Sequence, residues 1–247
     1  MIIDTCTFDG EWDILELRLR ILEGYVDHFI VVEGNKTHSG NPRPQTNIDL
    51  DRFKWIEDRL HFYRATLNAA TAWGRENEQR NAILSMLVVV PEDTLMILSD
   101  VDEIPSHLAI NYARGESILP RVCHQSFFYY NMHNLRIETW CGSIFSTLKQ
   151  MREITPQGLR DKRCSWPGIP EGGWHFSYFG GRDRIRQKLV SFAHQEYNTE
   201  QYLNASHVQS CINTGADLFN RGTQVQRVGE EFFPQYVVTE AKKLHLL

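Results

Sequence analysis

A parallel-sheet α/β fold is predicted by three features of the 247-residue sequence. Apolar runs of strand length alternate with amphipathic helical segments through the first half, turn residues bound the runs, and two runs end abruptly in carboxylates. The hydrophobic share of 42% is ordinary for a globular chain with a real core, and the length fits one large domain over residues 1–247. A shift of composition near Pro120 divides it into halves of different texture, 1–120 and 121–247.

Met1 to Thr5 reads as the first strand. Glu11 to Glu23 reads as a helix, with Trp12, Leu15, Leu19 and Leu22 on one stripe widened by Ile14 and Ile21. Asp27 to Glu33 is a buried strand ending in an acid, Gly34 to Thr46 a loop rich in Asn, Gly, Pro and Ser, and Leu60 to Arg64 a short strand. A helix is expected over Glu76 to Val89, with Ala82, Ile83, Met86 and Leu87 inward. The strand opening at Thr94 and ending at Asp100, Asp102 and Glu103 completes a β-α-β-α-β run. In the second half, His124 to Asn131 and Ser143 to Lys149 read as strands and Arg160 to Gly173 as a basic loop. The glycine pair Gly180-Gly181 opens a last helix, with Ile185, Leu189 and Phe192 inward and Arg182, Arg184, Arg186 and Lys188 over the rest.

The net charge of -5 argues against a duplex nucleic-acid binder. Five cysteines, widely spaced and without a C-x-x-C pair, suggest neither a zinc knuckle nor a disulfide framework, so a reducing compartment is expected. The amino-terminal residues show no basic n-region and no long apolar segment, so the expectation is a soluble, cytoplasmic protein without a transmembrane anchor.

The acidic strand end carries the chemistry. Alternation sends Asp100 and Asp102 to the same side, where both reach one hard divalent ion (Mn²⁺ or Mg²⁺) that also holds a diphosphate, as nucleotide-sugar transfer requires. His175, between Trp174 and Phe176 beside glycines, is the candidate third ligand, and Glu103 the residue that fixes the loop or touches the donor. Arg182 or Arg186, near the start of the last helix, would steady phosphate, with Arg184 and Lys188 read as a solvated face. Arg80 pairs with Glu76 or reaches the donor, Glu33 sits at the sheet edge where open α/β folds bind nucleotides, and Trp174 and Tyr178 offer stacking surfaces. Glu138, beside Trp140, and Glu196, just after the last helix, are the candidate general bases, with Asp183 and Asp217 in reserve.

These pieces together resemble glycosyltransferase family 17. The resemblance rests on Asp13 to Arg18, Val26 to Glu33, Asn35 with Thr37, Gly40 and Pro42-Arg43-Pro44, Ser99 to Pro105, Gly173 to Tyr178, Lys188 to Ser191, and Ile212 to Gly215. It implies a GT-A fold, a Rossmann-like mixed sheet flanked by helices, with residues 1–120 the nucleotide-binding half and 121–247 the acceptor side. It also implies a UDP-N-acetylglucosamine donor, a divalent metal, inversion at the anomeric carbon, and a glycan or other hydroxyl acceptor. Two other readings stand beside it. One is a phosphohydrolase with Asp100 as nucleophile and Asp102 as acid/base; the other is a sugar-binding module without catalysis.

Overall fold

The structure, a computed structural model, describes residues 1–44 and 50–247. The end of the predicted loop, Gln45 and Thr46, lies outside the described residues. In chain order the first half is β1 (Ile2–Phe8), α1 (Trp12–Leu22), β2 (His28–Gly34), α2 (Leu50–Phe53), β3 (Leu60–Ala65), α3 (Ala72–Asn81) and β4 (Leu95–Asp100). Its strands are parallel, in the order β3-β2-β1-β4. Then follow β5 (Glu103–Pro105), α4 (His107–Arg114), β6 (Arg121–Tyr129), β7 (Asn134–Thr147), α5 (Leu148–Ile154) and α6 (Pro156–Asp161). The chain continues through β8 (Gly168–Ile169), β9 (Gly173–Ser177), α7 (Gly181–Ser191), α8 (Glu200–Leu203), α9 (Ala205–Thr214), β10 (Val225–Arg227) and α10 (Gln235–Lys243). The fold is α/β with a mixed sheet. β7 joins β4 antiparallel, so one sheet takes strands from both halves of the sequence.

Alternation along the strands feeds two faces. Val31 and Ile97 join the Leu15, Leu19 and Leu22 stripe of α1, while Ile30, Val32, Met96 and Leu98 meet Ile83, Leu87 and Met151 on the other side. A third cluster, of Phe127, Tyr129, Ile185, Leu189 and Val208, seats α7 and α9 against β6.

α3 and β7 differ from the expected bounds. α3 starts earlier, capped by the Thr71 hydroxyl on Gly74 N–H at 3.0 Å, and gives way to a 3₁₀ turn over Ala82–Met86. β7 extends back to Asn134, with Arg136, Glu138, Thr139 and Trp140 lining a cavity and Leu135 and Ile137 alternating with the polar residues. It stops at Thr147, where the Thr147 and Gln150 side chains form a capping box, so Lys149 belongs to α5.

Candidate active site

β2 and β3 lie to one side of β1 and β4 to the other, so strand order reverses between β1 and β4, where open α/β sheets hold ligands beyond the strand carboxyl ends. Thr7 and Asp100, paired in register there, are joined by a 2.9 Å hydrogen bond from Oγ1 to Oδ1. Above them opens a cavity of about 730 Å³, a volume suited to a nucleotide-sized ligand.

The acidic turn stands in a frame of arginines. Arg18, on α1 and wholly buried, forks onto Asp4 (2.7 and 2.5 Å) and donates to Ser99 Oγ (2.8 Å) and the Glu103 carbonyl (2.6 Å), tying β1, β4 and β5 together. Arg160, on α6, gives two 2.7 Å bonds to the fully buried Glu103 carboxylate and a third, also 2.7 Å, to Asp100 Oδ2. Arg80, on α3, reaches Asp100 Oδ1 at 3.0 Å and Glu76 at 2.9 Å. Burial opposes the charge on Asp100, yet Arg160 and Arg80, with the Thr7 hydroxyl, hold its carboxyl well below the usual range.

Asp102 is almost buried and faces Lys188 Nζ at 3.1 Å and His175 Nε2 at 3.6 Å. Burial again opposes its charge, and Lys188 and His175 outweigh it, so the pKa is lowered. His175 lies flat on Phe127, ring centroids 4.6 Å apart, and beside Trp140 at 4.5 Å. Its Nδ1 is buried without a hydrogen-bond partner. β9 presents His175 here because Gly173 passes β5 so closely that an added Cβ would lie 2.1 Å from the Ile104 carbonyl oxygen, at φ +128°.

Among the described residues no group of three or more His, Cys, Asp or Glu side chains converges on one metal position. Asp100, expected as the first ligand, has both oxygens engaged by Thr7, Arg80 and Arg160. Asp102, one oxygen of which accepts from Lys188 at 3.1 Å, and His175, whose Nδ1 has no partner among the described residues, remain as a carboxylate–imidazole pair. That pair fits an ion of the magnesium or manganese kind, which keeps waters and takes phosphate oxygens rather than an all-protein cage.

The cavity thus collects Arg80, Asp100, Asp102, His175, Tyr178 and Glu138 of the expected residues. Glu138 is half exposed and bound by Arg136 at 3.0 and 3.1 Å, which lowers its pKa. The others go elsewhere. Glu103 lies beneath the floor, held by Arg160 and by Trp140 Nε1 at 2.6 Å, and so fixes the turn rather than meeting a donor. Trp174 turns into the core against Phe233 and Tyr236, because neighbours on a strand point to opposite faces and His175 takes the cavity side. Arg182 pairs with exposed Asp183 outside the cavity, and Arg186 donates to the Leu203 carbonyl. Of the α7 cations Lys188 faces the site, the reverse of the expected assignment. Glu196 is an exposed partner of His194 at 2.6 Å. Glu33 and Arg186 line a neighbouring cavity of about 760 Å³, where Glu33 pairs with Arg43 and Arg64. Of the reserve acids, Asp217 is bound by Arg221.

Arg160, Arg136, Arg221 and Thr7 are site residues that the sequence analysis did not single out, while Lys188 was read as solvated and Trp140 only as the neighbour of Glu138. Arg160 sat in a segment read as a basic loop; its signal was a guanidinium among apolar helix positions, Pro156 and Leu159.

The acidic turn thus stands at a sheet switch point, inside a nucleotide-sized cavity lined by arginines and Lys188. The model of glycosyltransferase family 17 matches residues 1–225, and the chain belongs to that family. It is 21% identical over 262 residues to the β-1,4-mannosyl-glycoprotein 4-β-N-acetylglucosaminyltransferase of Rattus norvegicus, covering 87% of this chain and 47% of the relative. The Homo sapiens protein of the same name is 21% identical over 299 residues, covering 100% of this chain and 54% of the relative. The chain spans about half the length of these curated relatives. Among solved structures, the galactosyltransferase LgtC, crystallised with donor and acceptor sugar analogues, is similar at a TM-score of 0.34 and 8% identity over 80% of this chain and 83% of that one, a likeness too slight to build on. No helix among the described residues is long and apolar enough to cross a membrane.

Proposed function

We propose that the chain is a metal-dependent, inverting glycosyltransferase of GT-A type, moving N-acetylglucosamine from UDP-N-acetylglucosamine to a hydroxyl of a glycan or other acceptor. Membership of family 17 and the names of the relatives support the donor. The observation that carries the reading is the Asp102–His175 pair beside Arg80, Arg160 and Lys188 in one cavity at the sheet switch point. The β4–β7 pairing supports a single catalytic domain, with the nucleotide on the side of residues 1–120 and the acceptor on the side of 121–247.

When bound, a divalent ion held by Asp102 and His175 would neutralise the diphosphate as it leaves. The chain's own residues prepare the rest. Arg80 and Arg160 keep Asp100 ionised and fixed, and Arg160 with Trp140 locks Glu103 beneath it. Phe127 and Trp140 hold the His175 ring in one orientation. Glu138, ionised at neutral pH by its Arg136 contacts, takes the proton from the acceptor hydroxyl as that oxygen attacks the anomeric carbon and the bond to diphosphate breaks.

The phosphohydrolase reading is less well supported, since both oxygens of its nucleophile Asp100 are engaged. Incubation with UDP-N-acetylglucosamine, glycan acceptors and manganese, and separately with p-nitrophenyl phosphate and magnesium, separates the readings. Release of UDP only in the first supports transfer; p-nitrophenol release would favour the hydrolase, and glycan binding without UDP release the silent module.

A further inference from the structure

Five Arg and Lys side chains that line the cavity can be followed to their anions. Arg80 and Arg160 meet Asp100, Lys188 meets Asp102, Arg136 meets Glu138 and Arg221 meets Asp217. Arg163 does not follow this pattern. Its guanidinium lies over the Trp140 ring, 5.1 Å from the centroid, and makes no ion pair or hydrogen bond with any described residue, its Nε being buried without a partner. Burial weakens its hold on the proton, and the like charge of Arg160 adds to this. A partly desolvated guanidinium beside another cation, without a carboxylate of its own, is an unfavourable arrangement that a bound anion relieves.

Trp140 gives this cation a definite place. The indole is held by its Nε1 bond to Glu103 and packs against His175 on the same cavity wall. Arg163 and His175 therefore flank one rigid ring.

We propose that Arg163 is the phosphate-binding side chain of the donor site, its guanidinium hydrogen-bonding the diphosphate oxygens of the nucleotide sugar. The assignment rests on the nucleotide-sugar reading of the cavity. It adds a binding residue from outside the acidic motif. With the guanidinium over the Trp140 ring and Nε buried, the two terminal nitrogens, which have no partner among the described residues, are left to bond phosphate oxygens.

The test is calorimetric titration of the full chain with UDP, uridine and inorganic pyrophosphate in manganese buffer, for the parent, Arg163→Gln and Arg163→Lys. Arg163→Gln should weaken UDP and pyrophosphate by about ten- to a hundredfold, the scale of lost hydrogen bonds to a charged group. Uridine affinity should be unchanged, and Arg163→Lys should recover part of the loss. Equal UDP affinity in the parent and Arg163→Gln overturns the assignment and leaves the donor reading standing. Loss of uridine together with UDP shows a structural role and overturns it as well. A parent that binds no UDP removes the nucleotide-sugar reading itself, and this assignment with it.

Discussion

Arg136 forks onto both Glu138 oxygens, and the half-exposed carboxylate stands on the cavity wall, charged at neutral pH. Glu138→Gln should keep UDP affinity and lose transfer by a factor on the order of 10²–10⁴. Glu196→Gln, at an exposed site outside the cavity, should retain the parent rate; initial rates of UDP release from both variants check the pair. Asp217 gives a pH signature. Burial disfavours its charge, but Arg221 binds it at 2.8 Å and lowers its pKa in the folded chain. The unfolded chain therefore takes up this proton first as pH falls through about 4, so the stabilisation, complete above that value, is lost below it. In thermal melts Asp217→Asn should be less stable than the parent at pH 7, with the difference narrowing between about pH 4 and 3; a constant difference would show that ionisation of Asp217 does not stabilise the fold. The carboxylates of the acidic turn were readable from the sequence because charge at the end of an apolar strand is conspicuous. Trp174 was misplaced beside His175 although strand alternation alone separates such neighbours, and the role of Arg160 was not legible because its partners are 57 and 60 residues away.

At the scale of elements, α1 shows a helix recruited to hold the site. Its buried stripe was legible from leucine spacing, but Arg18, on the same helix, is as buried as the leucines and bonds to β1, β4 and β5. Arg18→Met leaves Asp4 charged and buried, and should cost about 3–5 kcal/mol in denaturant unfolding. Adding Asp4→Leu removes that stranded charge and should recover part of the loss; strict additivity of the two would mean the pair is not coupled. α7 was placed correctly, since Gly180 takes φ +97° at its N-cap as the glycine pair suggested, yet its rotational setting was not. Charges surround that helix, and only the packing of Ile185 and Leu189 on α9 decides which of them meets the cavity. The first half of β7 was missed although Leu135 and Ile137 alternate with Asn134, Arg136 and Glu138, because two apolar residues interrupted by charges make a short signal.

The whole molecule is organised around the reversal of strand order at β1 and β4. The parallel half followed from chain order and short crossovers. The antiparallel insertion of β7 beside β4 did not, because register between distant strands has no local signature. That insertion brings Glu138, Trp140 and Arg136 over the acidic turn and closes the cavity. Whether this cavity binds a nucleotide diphosphate through a metal is measured most directly by calorimetric titration of UDP into the chain, with manganese and again with EDTA. Binding with manganese that weakens by tenfold or more in EDTA, on the order expected when a bridging ion is removed, is the predicted result. Equal affinity in both buffers would contradict it, and would leave the diphosphate to the arginines and Lys188 alone.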